Sequence, residues 1–147
     1  MRDTISKKRS EWIVQNNKVK GAEGTARRVL VVDDEPTIRE VVALCLQLLG
    51  GWDVLTAMSG REALNLANAE PPDVIVLDVM MPEMDGFAFL QHLRADPATQ
   101  QIPVVLLTAN NYLPNSDQFA QLGVVLTIAK PFHSVDLVQQ IAQTMNW

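Results

Sequence analysis

From Arg28 onward the chain alternates short apolar runs with stretches whose apolar residues recur at helical spacing. Val29–Val32 is a β-branched-rich run that ends in Asp33-Asp34. After it, Ile38, Val41, Val42, Cys45, Leu48 and Leu49 keep a helical period, with Pro36 fitting the first turn and Gly50-Gly51 ending the helix. Trp52–Ala57 reads as a second strand, and Ser59 is placed to cap a helix carrying Ala63, Leu64 and Ala67. Pro71-Pro72 breaks the chain again. Val74–Leu77 is continuously apolar, as a central strand covered on both faces should be, and ends in Asp78. A loop with Pro82 and Gly86 leads to a third helix marked by Phe87, Leu90 and Leu93. Pro103–Leu107 is a fourth strand ending in Thr108, and a weaker helix follows within Ala109–Leu122, starting near Pro114–Ser116. Val124–Ala129 is the fifth strand, with Lys130 after it. Ser134 or a neighbour caps a last helix bearing Leu137, Val138, Ile141, Ala142 and Met145.

Five repeats of strand then helix predict an α/β fold, a doubly wound five-stranded parallel sheet with helices on both faces. Such sheets bind ligands at the carboxyl ends of their strands. Those ends carry Asp33 and Asp34, then Met58 and Ser59, Asp78, Thr108 and Lys130 in turn. In the strand order 2-1-3-4-5, Asp78 is central, with the acid pair on one side and Thr108 on the other. Lys130 is then two strands away, at about 4.8 Å per strand, within reach of a long side chain. The strand without a chemically active end is the one this order places farthest off.

Taken singly, these residues have ordinary explanations. Asp33-Asp34 before Pro36 could cap a helix, Asp78 could start a loop, Thr108 could cap, and Lys130 could be a solvated charge. Together their roles are complementary. Three carboxylates close to one another repel unless something positive intervenes. A divalent cation with oxygen ligands does so, and Mg2+ suits few carboxylates, several waters and a phosphoryl oxygen. A carboxylate held there is already a nucleophile toward phosphorus, and Lys130 and the Thr108 hydroxyl are suited to stabilise phosphoryl oxygens.

Composition and charge narrow the class further. With 147 residues and 48% hydrophobic content the chain is long enough for one buried core plus an extension. One cysteine, Cys45, excludes a disulfide framework. No apolar run approaches the roughly 20 residues of a membrane span, and a cytoplasmic protein is expected. Residues 1–28 carry a net charge of +5 and the remainder −10, so the acidic body is not expected to bind DNA. Residues 1–27, basic and holding only Trp12-Ile13-Val14 as an apolar cluster, are expected to be a partly disordered extension of a domain spanning 28–147.

With these residues in place, the chain resembles the receiver domain of two-component response regulators. The motifs are Val31-Val32-Asp33-Asp34-Glu35-Pro36, Asp78-Val79-Met80-Met81-Pro82-Glu83-Met84-Asp85-Gly86, Leu106-Leu107-Thr108-Ala109 and Lys130-Pro131-Phe132. The resemblance implies a flavodoxin-like fold, and the order 2-1-3-4-5 is the family's own, so that part of the topology is not independent of it. It implies Asp78 as phosphoacceptor, Asp34 as direct metal ligand, Asp33 as a ligand through water, and the Met80 backbone carbonyl as a further ligand. Thr108 matches the hydroxyl that moves toward the phosphoryl group, and Lys130 the family's lysine, with a cis bond to Pro131. Mg2+ is the implied cofactor, with Mn2+ as a substitute. A sensor histidine kinase or histidine phosphotransfer protein is the implied donor. The implied output is the binding of a downstream protein through the fourth-helix, fifth-strand, fifth-helix face, by a monomer or a homodimer formed through it. No output domain is expected within this length. Thr127 departs from the family, which often has Tyr or Phe three residues before the lysine.

Two alternatives differ in class. A Mg2+-dependent phosphohydrolase with an aspartyl-phosphate intermediate would need an Asp-x-Asp motif on its first strand, whereas Asp33-Asp34 stands there. A degenerate receiver used as a scaffold is opposed by the intact acidic residues, Thr108 and Lys130. Otherwise the chain is expected to be a phosphoacceptor rather than an enzyme. His92 is expected on an exposed helix face, His133 at the start of the last helix and Cys45 in the core.

Overall fold

Runs of Val, Ile and Leu with no polar alternation have two apolar faces, and only a sheet covered on both sides buries both. In the computed structural model, which describes residues 27–78, 86–109 and 116–147, three such runs form the middle of the sheet. The strands are β1 (Arg28–Val32), β2 (Asp53–Ala57), β3 (Val74–Asp78), β4 (Val104–Ala109) and β5 (Val124–Lys130). They pair in parallel in the order β2-β1-β3-β4-β5, as expected. The helices are α1 (Pro36–Gly50), α2 (Gly60–Ala69), α3 (Gly86–Ala95), α4 (Ser116–Gln121) and α5 (Ser134–Met145). β3, β4 and β5 run one or two residues beyond the apolar segments, so Asp78, Thr108 and Lys130 stand inside the strands rather than after them.

Successive strand side chains point to opposite faces, and each face has its own core. Leu30, Val32, Ile75, Leu77 and Leu106 pack with α2, α3 and α4 through Ala63, Ala67, Phe89, Leu90, Leu93 and Phe119. Val29, Val31, Val74, Val76, Val105 and Leu107 pack with α1 and α5 through Val42, Leu46, Leu137 and Ile141. Trp52 and Trp147 close the second core edge-to-face, with ring centroids 5.0 Å apart.

The helix ends largely follow the sequence. Pro36 opens α1, and Gly51 ends it in the left-handed region at φ 71°, its N–H reaching the carbonyls of Leu46 and Gln47. Ser59 caps α2 by accepting from the Glu62 N–H at 3.1 Å. The last helix has His133, the neighbour of Ser134, at its cap position, without a side-chain capping bond. Two other expectations need correction. Ser134 lies inside the helix, where its hydroxyl oxygen accepts from the Cys45 thiol at 3.1 Å. That contact leaves Cys45 half-buried beside α5 rather than in the core.

The second correction concerns the face of α1. Its buried residues are Val42, Ala43 and Leu46. Val41, Leu48 and Leu49, assigned by periodicity to the inner stripe, are 47%, 70% and 53% exposed. This helix is apolar almost all round, so its sequence period does not select one face.

Arg94 fastens the amino-terminal rim of the sheet. Its guanidinium donates to the carbonyls of Leu122 (2.6 Å), Thr99 (3.2 Å), Gln100 (2.8 Å) and Ile102 (2.6 Å). Gly123, at φ 88°, presses its backbone against that guanidinium, where a Cβ would collide. Residues 1–26 and Met80 lie outside the described residues, so the expected disorder of the extension and the Met80 carbonyl ligand are not addressed by the fold. No helix among the described residues is long and apolar enough to cross a membrane.

Candidate functional site: an acidic rim at the carboxyl ends of β1 and β3

Parallel register brings the strand ends level. Val32 pairs with Leu77, so Asp33 and Asp78 follow side by side on adjacent strands. Asp78 pairs with Leu107, so Thr108 stands one residue further along β4. Lys130, two strands from Asp78, pairs with Ala109. The sheet thereby gathers most of the side chains that sequence reasoning selected.

The carboxylates of Asp33, Asp34 and Asp78 each place an oxygen within 4.8 Å of the others. Asp33, Asp78 and Thr108 are buried, whereas Asp34 is exposed. Lys130 Nζ is 3.4 Å from Asp78 Oδ2. The Lys130–Pro131 bond is cis, as the resemblance implied. Thr127 on β5 is exposed, and His92 is exposed on α3.

Asp33 is held on three sides. Its N–H donates to the Ala57 carbonyl at 3.1 Å. Its own carbonyl accepts from Arg39 Nη1 at 2.8 Å, and its Oδ1 accepts from the Glu35 N–H at 2.9 Å. Its Oδ2 is buried, and no donor among the described residues reaches it. Burial is the main reason the carboxyl is pushed up to about 6 from an ordinary 3.8, and the nearby Asp78 charge adds to it. The Glu35 N–H and Lys130 act in the opposite direction without overcoming burial.

An acceptor buried without a donor, beside two further carboxylates, is costly for the chain alone. It becomes favourable with a hard cation in front of it. The donor set is wholly oxygen and one member is exposed, leaving room for water, which fits a divalent cation of the Mg2+ kind.

Sequence reasoning missed two contributors, Glu35 and Arg39. Glu35 is the cap of α1, its Oε1 accepting from the Thr37 N–H at 2.8 Å, while its own N–H orients Asp33. The available signal for Arg39 was a cation one turn into a helix, near the positive end of the dipole, where it is disfavoured without a partner. Its partner is the Asp33 carbonyl.

Residues 29–142 match the family model described as the response regulator receiver domain. A probable transcriptional regulator, ycf27, from Guillardia theta is 38% identical over 122 residues, covering 83% of this chain and 46% of that protein. The probable transcriptional regulatory protein TcrX of Mycobacterium tuberculosis is 38% identical over 120 residues, covering 82% and 50%. The chain spans about half the length of these curated relatives. Among solved structures, the chemotaxis protein CheY4 of Vibrio cholerae is similar with a TM-score of 0.74 and 34% identity, covering 81% of this chain and 98% of that one. Sequence similarity starts on the first strand and runs into the last helix, the fold is alike, and the chain belongs to the response regulator receiver family.

Proposed function

We propose that this receiver accepts a phosphoryl group on a carboxylate oxygen of Asp78 from a histidine-phosphorylated sensor kinase or phosphotransfer protein, and acts in the cytoplasm. The observation that carries this reading is the convergence of three carboxylates under one lysine at the carboxyl ends of the strands. The Asp78 carboxylate attacks phosphorus, a new P–O bond forms, and the donor's P–N bond breaks as the imidazole leaves. Asp78 needs no general base, because a carboxylate is itself a nucleophile toward phosphorus. Lys130, 3.4 Å from Asp78, neutralises charge there and is within reach of a transferred phosphoryl oxygen. The Thr108 hydroxyl supplies a hydrogen bond to the same group.

Asp33, Asp34, Asp78 and the Met80 backbone carbonyl would hold Mg2+, or Mn2+ in its place. When bound, the cation would neutralise the acids and polarise the phosphoryl oxygens. Receivers are signalling phosphoacceptors rather than catalytic enzymes, which sets aside the phosphohydrolase alternative. Output is assigned to a downstream protein bound through the α4–β5–α5 face by a monomer or homodimer. The net charge of −10 over residues 29–147 makes this domain itself a poor ligand for DNA.

Mass spectrometry after incubation with acetyl phosphate and Mg2+ tests the reading. The wild-type chain is expected to gain one labile phosphoryl group, and Asp78→Asn none. Equal gain by the variant, or no gain by the wild type, would refute it.

A further inference from the structure

We infer that Arg39 is a positioning residue for the cation site: it fixes the backbone from which the Asp33 carboxylate projects. This inference rests on the proposed metal-binding role of Asp33, Asp34 and Asp78. The Arg39 guanidinium is bonded to main chain at the edge of the acidic rim. It donates from Nη1 to the Asp33 main-chain carbonyl at 2.8 Å, reaching back from the second turn of α1 to the end of β1.

Three bonds converge on Asp33, and each holds a different part. The N–H is tied to Ala57 on β2, the carbonyl to Arg39 and the Oδ1 to the Glu35 N–H. What remains is Oδ2, buried, without a donor among the described residues, and grouped with the oxygens of Asp34 and Asp78. Without Arg39 the peptide between Asp33 and Asp34 loses its side-chain anchor. That peptide carries both acids, so its rotation would move two of the three proposed ligands together. Outer partners of this kind, which orient ligands without touching the metal, commonly change affinity 10–100-fold.

Simple electrostatics predicts the opposite sign. Arg39 is a fixed positive charge near a site for a divalent cation, so removing it should tighten Mg2+ binding if its role were only long-range charge. Positioning predicts weaker binding. The direction of the change therefore separates the two roles.

The test is a Mg2+ titration of the full chain, followed by the backbone amide resonances of Asp34 and Glu35, with the metal alone as ligand. Arg39→Ala is expected to bind Mg2+ about tenfold or more weakly than wild type. Arg39→Lys keeps the charge but loses the planar fork, and is expected to fall between the two. Unchanged or tighter binding by a folded Arg39→Ala overturns the inference. If Arg39→Ala does not fold, Arg39→Lys decides: a several-fold loss supports the positioning role, and wild-type affinity overturns it. A wild-type chain that does not bind Mg2+ at all overturns the parent reading of the acidic rim and this inference with it, a pattern distinct from failure of the Arg39 variants alone.

Discussion

Replacing Asp33 by asparagine should make the metal-free protein more stable at pH 8, although it removes a residue of the proposed site. Asp33 titrates at about 6 in the folded chain against an ordinary 3.8, so folding favours its protonated form. Stability from this group is fully present below pH 3.8 and is lost as pH rises through about 6. The difference corresponds to at most about 3 kcal/mol at pH 8. Asparagine is nearly isosteric and neutral. Its Oδ1 keeps the acceptor for the Glu35 N–H, and its amide offers Asp78 a donor where Asp33 Oδ2 has none. Urea unfolding in EDTA should show Asp33→Asn to be roughly 1–3 kcal/mol more stable than wild type at pH 8 and nearly equal at pH 3.5. Adding Mg2+ should stabilise the wild type and have much less effect on the variant. A variant no more stable than wild type at pH 8, or one that gains as much from Mg2+, would refute the argument that Asp33 is a buried charge awaiting a cation.

The same proton should compete with the metal: apparent Mg2+ affinity is expected to fall about tenfold per pH unit below pH 6, in calorimetric or NMR titrations, and to be nearly flat above pH 7. Gly123→Ala should cost about 2 kcal/mol, since it combines a positive φ with a collision against the Arg94 guanidinium. In an Arg94→Ala background the collision disappears, and the added cost of Gly123→Ala should shrink in a double-mutant cycle followed by urea unfolding. On α1, Leu46→Ala should cost about 3 kcal/mol, whereas Leu48→Ala, at 70% exposure in the parent, should cost less than about 1 kcal/mol by thermal or urea unfolding.

The sheet was readable in the sequence because Val29–Val32, Val74–Leu77 and Val104–Leu107 are apolar without alternation, a pattern that two-sided burial requires. The site was readable for a related reason. Asp33, Asp78 and Thr108 are abrupt polar stops to apolar runs, and parallel register sets such stops beside one another. The face of α1 was not readable, because a helix with leucine or valine on every side gives no contrast between inside and outside. Nor were the bonds made by Arg39 and Arg94, which end on main-chain carbonyls. Every residue offers a carbonyl, so no side-chain pattern marks the acceptor. Nor does residue type reveal that the Ser134 hydroxyl accepts from the Cys45 thiol on another helix.

β3 is buried along its whole length and flanked in register by β1 and β4. The carboxylate proposed for the chemistry is thus mounted on the segment least able to adapt. Its neighbours on the rim come from separate strands, Asp33 at the end of β1, Thr108 on β4 and Lys130 on β5. A substitution confined to one of those neighbours is therefore expected to leave the proposed reacting group anchored where it is, much as a tool holder keeps its bit when one clamp is changed.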